Sequence, residues 1–250
     1  MALEPRTLRV VIVDDEELAR RGLARDLAGD AALSVVAECA DGFEAVRVAV
    51  EQKPDLMLLD IQMPRLDGFE VAELLDPAIA VIFVTAHDEH ALRAFEVHAV
   101  DYLLKPVDPG RLHQALRRAR ERLARREPVP AAALAAAARP PGAHADRILV
   151  REGSRVHVLP VDAVDWIEAQ GDYIAVRANG RAHLKQQPIG EAEAALDPRR
   201  FVRIHRSFIL NLDRLERIEL YAKDSRVAIL RDGKRLPMSR AGHARLQELL

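Results

Sequence analysis

The chain has 250 residues, enough for one large domain or two of ordinary size, each with its own core. Of these 49% are apolar and 30% charged, the balance of a globular protein, and no apolar run approaches the roughly 20 residues of a membrane span. A net charge of −2 conceals an uneven division: from Asp146 onward 19 Lys and Arg face 15 Asp and Glu, and before it 18 face 24, so an acidic front half repels polyanions that the back half tolerates.

The opening "MALEPRTLRVVIVDDEE" runs a short apolar stretch straight into four acids, with no small-residue cleavage site. It does not read as a signal peptide, and the cytoplasm is the expected compartment. A single cysteine, Cys39 in "SVVAECA", excludes a disulfide framework and a thiolate zinc site, and is expected in the core.

Residues 8–124 alternate short apolar runs with amphipathic segments. The runs are "LRVVIV", "LSVVAEC", "DLMLLD", "IAVIFV" and "AVDYLL"; the helical segments are "EELARRGLARDLA", "GFEAVRVAVEQ", "DGFEVAELL", "EHALRAFEV" and "PGRLHQALRRARERLARRE". This predicts a doubly wound α/β domain with a parallel five-stranded sheet, its strands apolar throughout because helices cover both faces. In the last helix Leu112, Leu116, Ala119 and Leu123 share the sheet-facing stripe, which turns Arg117, Arg118, Arg120, Arg122, Arg125 and Arg126 outward as a solvated face or a dimer contact.

Next comes "EPVPAAALAAAARPPGAHAD", with prolines at 128, 130, 140 and 141 and little that can form a core; residues 125–146 read as an Ala/Pro-rich linker. From 147 to 250 the period becomes two. "RILVRE", "RVHVLP", "AVDWIEA", "YIAVR", "RAHLKQ", "FVRIH", "LERIEL", "RVAILR" and "KRLPM" read as strands of a mostly antiparallel β domain, with Asn179-Gly180 and Asp232-Gly233 as hairpin turns needing positive φ at both residues. Only "IGEAEAALD" and "SRAGHARLQELL" look helical, the latter capped by Ser239, and Trp166 is expected in the core.

In an open parallel sheet, function gathers at the carboxyl ends of the strands. The first strand ends in Asp14 and Asp15 and the third in Asp60, so three carboxylates converge and call for a hard divalent cation, Mg²⁺. The fourth strand ends in Thr85, and Lys105-Pro106 follows the fifth. An acid, a magnesium ion, a lysine and a hydroxyl are the parts of a phosphoryl-transfer site.

"VVIVDDEELARRGL", "LLDIQMPRLDGFE" and "VIFVTAHDEHALRAFEVHAVDYLLKPV" resemble the receiver domain of bacterial two-component response regulators, of flavodoxin-like fold, over residues 8–124. The resemblance implies that Asp60 accepts a phosphoryl group from a sensor histidine kinase. It further implies that Asp15, Asp60 and the backbone carbonyl of Gln62 bind Mg²⁺ with Asp14 acting through water, that Thr85 and Lys105 contact the phosphoryl oxygens, and that Tyr102 is the switch aromatic. Thr85 is then drawn inward, Tyr102 fills the space, and the face formed by the fourth helix, fifth strand and fifth helix repacks.

In the second half, "AVDWIEAQGDYIAVRANGRAHLKQQPIGEAEAALDPRRFVRIHRSFILNLDRLERIE" and "KRLPMSR" resemble the LytTR DNA-binding domain of LytR/AlgR-type regulators. The resemblance implies an elongated β fold that inserts loops into successive major grooves of direct-repeat sites, with readout from the loop ending in Tyr173, from His205 and Arg206, and from Arg240. Arg206 and Arg240 can fork onto guanine, a contact worth about 1–3 kcal/mol of discrimination. Ser207 suits a phosphate, and Lys185 and Arg203 are either backbone contacts or solvated charges. Asp172 would repel phosphate and could act only through a cytosine amino group or by shaping the loop.

The expected function is a transcription regulator that is not a turnover enzyme, phosphorylated on Asp60, homodimeric through its receiver, bound to double-stranded DNA and not to membrane. Two other classes compete: a receiver whose β domain binds protein or RNA, and a haloacid-dehalogenase-type phosphatase. The phosphatase needs Asp-x-Asp after the first strand, where this chain has Asp14, Asp15 and Glu16. Kinase, promoters, sign of regulation and resting oligomeric state are not legible in the residues.

Overall fold

The computed structural model describes residues 7–86, 99–125, 144–222 and 225–249. The chain divides into two compact units, one within residues 1–156 and the other built from most of 141–250.

In the first unit β1 (Leu8–Val13), β2 (Leu33–Cys39), β3 (Leu56–Leu59), β4 (Ala80–Thr85) and β5 (Asp101–Leu104) form a parallel sheet in the order β2-β1-β3-β4-β5. The helices are α1 (Glu17–Leu27), α2 (Gly42–Gln52), α3 (Gly68–Leu74) and α4 (Pro109–Arg125). The helix read from "EHALRAFEV" lies outside the described residues, as do Arg126 and most of the segment read as a linker.

Successive strand residues point to opposite faces. Val10 and Ile12 of β1, Leu58 of β3 and Ile82 of β4 pack with Leu23 and Leu27 of α1 and Leu112 and Leu116 of α4. On α3, Phe69 meets Phe83 of β4 with ring centroids 4.8 Å apart. Both faces are thus covered, which is why β3 is apolar throughout and β4 is apolar up to its last residue, Thr85. Cys39 is fully buried, as expected of a core residue. Strand order reverses between β1 and β3, so the chain leaves these neighbours toward opposite faces and opens a crevice at their carboxyl ends.

The second unit has a two-stranded ribbon of β6 (Arg147–Glu152) and β7 (Arg155–Pro160). A five-stranded antiparallel sheet follows from β8 (Val164–Gln170), β9 (Tyr173–Ala178), β10 (Arg181–Gln186), β11 (Phe201–His205) and β12 (Phe208–Asn211), in the order β10-β9-β8-β12-β11. A three-stranded sheet holds β13 (Leu215–Ala222), β14 (Ser225–Leu230) and β15 (Arg235–Met238), and the helices are α5 (Ile189–Ala195) and α6 (Arg240–Gln247).

The central sheet is buried on both faces. Ile167, Ile174, Val176 and Ile209 join one core with Val150 and Leu159. Trp166, Val202, Ile204 and Leu210 join a second with Ala228, Leu236 and Leu246; Trp166 lies inside, as its alternating strand predicts.

Two sequence readings need correction. Strand β12 is absent from the sequence reading, because four residues directly after the turn at Arg206-Ser207 are too few to display a period of two. Asn179 and Gly180 both take positive φ (51° and 74°), but at the second hairpin only Gly233 does (81°). The reason is loop length: four residues separate β14 from β15, and such loops need one left-handed residue, not two. Asp232 instead accepts a hydrogen bond on its side chain from the Lys234 N–H at 2.9 Å.

Candidate functional site

The crevice at the carboxyl ends of β1, β3 and β5 gathers Asp14, Asp15, Asp60 and Lys105. Asp14 and Asp60 follow directly on their strands, and the Asp60 N–H donates to the Val13 carbonyl at 2.8 Å, which locks the two strand ends together. Asp14 is fully buried, Asp60 is 5% exposed and Asp15 is exposed. Carboxylate oxygens of all three lie within 4.8 Å of one another.

Lys105 bridges the two buried acids, its Nζ 2.6 Å from Asp14 Oδ2 and 2.7 Å from Asp60 Oδ2. Both contacts pair a buried carboxylate oxygen with the ammonium, and the one to Asp60 also has full hydrogen-bond geometry. Asp14 Oδ1 accepts from the Glu16 N–H at 2.9 Å, and Asp60 Oδ1 accepts from the Gln62 N–H at 3.2 Å. Burial pushes the Asp14 carboxyl above its ordinary range, against the opposing pull of Lys105 and the Glu16 N–H. Burial alone would lower the Lys105 ammonium, but its two carboxylate partners outweigh this and hold it above its usual value.

Thr85, the last residue of β4, is fully buried, and its Oγ1 has no hydrogen-bond partner among the described residues. A buried hydroxyl without a partner is costly, so an acceptor brought beside it would be favoured. The Lys105 N–H donates to the Thr85 carbonyl at 2.8 Å, which holds the strand end carrying the hydroxyl to the lysine. Tyr102, on β5 opposite Phe83 of β4, is 9% exposed and lies inward. Gly68, at the start of α3, makes the acceptor loop possible: its N–H donates to the Ile61 carbonyl at 2.8 Å, and a Cβ there would sit 2.2 Å from the Asp60 carbonyl oxygen.

Sequence reasoning missed Asp101. This acid on β5 is buried at 3% exposure, and Arg111 and Arg118 of α4 contact its carboxylate at 3.2 and 2.8 Å. Arg120 pairs with Asp30 at 2.7 Å. The arginine face of α4 is therefore partly a charge clamp on its own unit.

In the second unit the register places the DNA-contact candidates at one end of the central sheet. Tyr173, 46% exposed, pairs with Gln170 and Gln186, and Lys185 pairs with Ile174. Phe208, just past Arg206 and Ser207, pairs with Glu168, and the Ala169 N–H donates to the Ser207 carbonyl at 2.9 Å. The Ser239 N–H donates to the Ile204 carbonyl at 2.9 Å, bringing the N-terminus of α6, and Arg240 with it, to the same end. Gly242 allows this closeness, since a Cβ there would lie 1.9 Å from the Ile204 oxygen.

Arg203, His205, Arg206, Ser239 and Arg245 line a cleft of about 380 Å³. Sequence reasoning also missed Arg245, because its approach to β11 depends on the packing of α6. Arg203 is a brace, bonded to Glu193 at 3.0 Å and to the Arg206 carbonyl at 2.9 Å. His205 Nδ1 accepts from the Ser207 N–H at 3.2 Å, so in the neutral ring Nε2 carries the proton as a donor.

Residues 10–117 match the response regulator receiver domain family, and residues 154–250 match the LytTr DNA-binding domain family. The chain belongs to the two-component response regulators that join a receiver to a LytTR domain and regulate transcription. Among its relatives, an uncharacterized response regulatory protein of Yersinia pestis is 35% identical, over 97% of this chain and 98% of the relative. The transcriptional regulatory protein BtsR of Salmonella typhi is 33% identical, over 97% of this chain and 99% of its own length. Among solved structures, the receiver domain of AraT, a response regulator from Geobacillus stearothermophilus, is 34% identical, covers 48% of this chain and 97% of its own, and superposes with a TM-score of 0.43. Among the described residues no helix is long and apolar enough to cross a membrane.

Proposed function

We propose that Asp60 is the phosphoacceptor of this regulator and that its phosphorylation controls dimerisation and DNA binding. The observation that carries the reading is the Lys105 ammonium held between Asp14 and Asp60, near a buried Thr85 hydroxyl that has no partner among the described residues. In the phosphoryl-transfer step a carboxylate oxygen of Asp60 attacks the phosphorus of a kinase phosphohistidine. The new P–O bond forms as the P–N bond breaks, and the imidazole leaves. Lys105 pairs with the transferred oxygens, and the Thr85 hydroxyl donates to one of them.

Asp14, Asp15 and Asp60, with the Gln62 carbonyl, fit a hard divalent cation, Mg²⁺, whose chemistry is to neutralise phosphoryl oxygens. The gathering of three carboxylates within 4.8 Å, two of them buried, supports that fit. Once Thr85 turns toward the phosphoryl group, Tyr102 moves into the vacated space and changes the surface beside β5.

The signal passes along residues 125–146, the linker between a receiver at 8–124 and a DNA-binding domain at 147–250. The receiver dimerises and sets two β domains on direct repeats, which raises apparent affinity without new base contacts. Arg206, Arg240 and the His205 Nε2–H meet base edges; Ser207, Lys185 and Tyr173 position the backbone. Such a protein works in the cytoplasm, where kinase and DNA are both within reach, and as a regulator turns over no metabolite. The test compares wild type and Asp60→Asn, with and without acetyl phosphate, by sedimentation and gel shift on DNA selected from a random pool. Wild type should dimerise and bind more tightly with the donor, and the variant should not respond. An equal response in both would sink the switch, and absence of sequence-selective duplex binding would leave the β domain as a protein or RNA module.

A further inference from the structure

A second cluster of metal-ligating side chains lies in the β domain, away from the readout loops. Glu152 ends β6, His157 lies on β7 and His183 lies on β10, an edge strand of the central sheet. Glu152 Oε2 is 3.1 Å from His157 Nε2 and Glu152 Oε1 is 3.6 Å from His183 Nδ1. The two imidazole centroids are 4.9 Å apart, and the three donors lie within 4.8 Å of one another.

His183 gives the cluster its direction. It is 9% exposed and its Nδ1 is buried without a hydrogen-bond partner among the described residues, an arrangement that a histidine serving only the core would avoid. Glu152 and His157 remain partly exposed, so an ion has a path in. Zinc bonds of about 2.0–2.1 Å place neighbouring donors roughly 3.4 Å apart in a tetrahedron; the three donors here lie within 4.8 Å of one another, so small side-chain rotations close them onto an ion. Two imidazoles and a carboxylate are also a donor set that zinc accepts, with water as the fourth ligand.

We propose that Glu152, His157 and His183 form a binding site for Zn²⁺ or a similar transition-metal dication, which clips the β6–β7 ribbon onto edge strand β10. The two sheets share no ladder among the described strands, so one ion would replace missing backbone bonds with three side-chain ligands. Neutral imidazoles and an ionised carboxylate are the forms that ligate a metal.

The test titrates the full chain with Zn²⁺ against a chromogenic chelator, in excess Mg²⁺ to occupy the receiver acids, and follows thermal unfolding with and without Zn²⁺. Wild type should take up one Zn²⁺ per chain and melt higher in its presence. His183→Gln, and the more exposed His157→Ala in case the first misfolds, should each weaken binding by more than the roughly 10–100-fold typical of an outer-shell change. His243→Ala, on α6, should not. Failure of wild type to take up Zn²⁺, or undiminished binding in His157→Ala and Glu152→Gln, would overturn the proposal.

Discussion

Replacing Gly68 by alanine should damage the phosphoacceptor more than it damages the fold. The added Cβ would meet the Asp60 carbonyl oxygen at 2.2 Å, Ile61 Cα at 2.9 Å and the Asp60 carbonyl carbon at 3.0 Å, all of them backbone atoms that cannot swing aside. Ordinary contact begins at 3.4 Å, so the start of α3 or the Asp60 loop must shift by about 1.2 Å, and a misplacement near 1 Å costs reactions about 10²-fold in rate. Overpacking of this kind costs roughly 1–3 kcal/mol of stability. The loss should appear in urea unfolding followed by circular dichroism, and the rate effect in Asp60 phosphorylation by acetyl phosphate at saturating Mg²⁺. If Gly68→Ala stays within about 0.5 kcal/mol of wild type and phosphorylates at the wild-type rate, the claim that this glycine sets the acceptor loop is wrong.

The opposite sign is expected at Gly22, inside α1, where an added Cβ would find nothing within 4 Å: Gly22→Ala should stabilise by about 0.8–1 kcal/mol in the same urea assay. Gly242→Ala should lift α6 from β11 and cost about 1–3 kcal/mol, as overpacking against backbone does, with weaker DNA binding in a gel shift; unchanged affinity would detach α6 from the interface. Lys105 has a folded-state pKa raised above 10.5, so its stabilising contribution is complete below that value and is lost as pH climbs through the raised one. Lys105→Met should therefore remove part of the alkaline fall in the urea midpoint, and identical alkaline limbs would contradict the ion-pair assignment. Arg206→Ala should cost about 1–3 kcal/mol of discrimination at one base pair, measured by competition among sequence variants; uniform weakening across them would make Arg206 a phosphate contact.

The receiver half is legible in the sequence because its signals are local. Buried parallel strands are continuous apolar runs, and Asp14, Asp15, Asp60, Thr85 and Lys105 announce themselves as polar residues where such runs end. Parallel connection then brings those ends together, so position along the chain nearly implies position in the crevice. The β half is legible strand by strand except at β12, and its hairpin at Asp232-Gly233 departs from the expected turn, because loop length and not residue type selects the turn.

The residues alone determined the alternation of elements, the change of period after the proline-rich segment and the identity of the acids at the strand ends. Only the tertiary structure decided what those groups meet. Lys105 divides itself between two acids, the Thr85 hydroxyl finds no partner among the described residues, and Asp101 is buried under two arginines. Arg245 reaches the cleft at His205, and Glu152, His157 and His183 converge from three strands. Periodicity reports which face a side chain takes, since that depends on local backbone geometry. Which distant side chain shares that face depends on strand order and register, which are set by the packing of the whole unit.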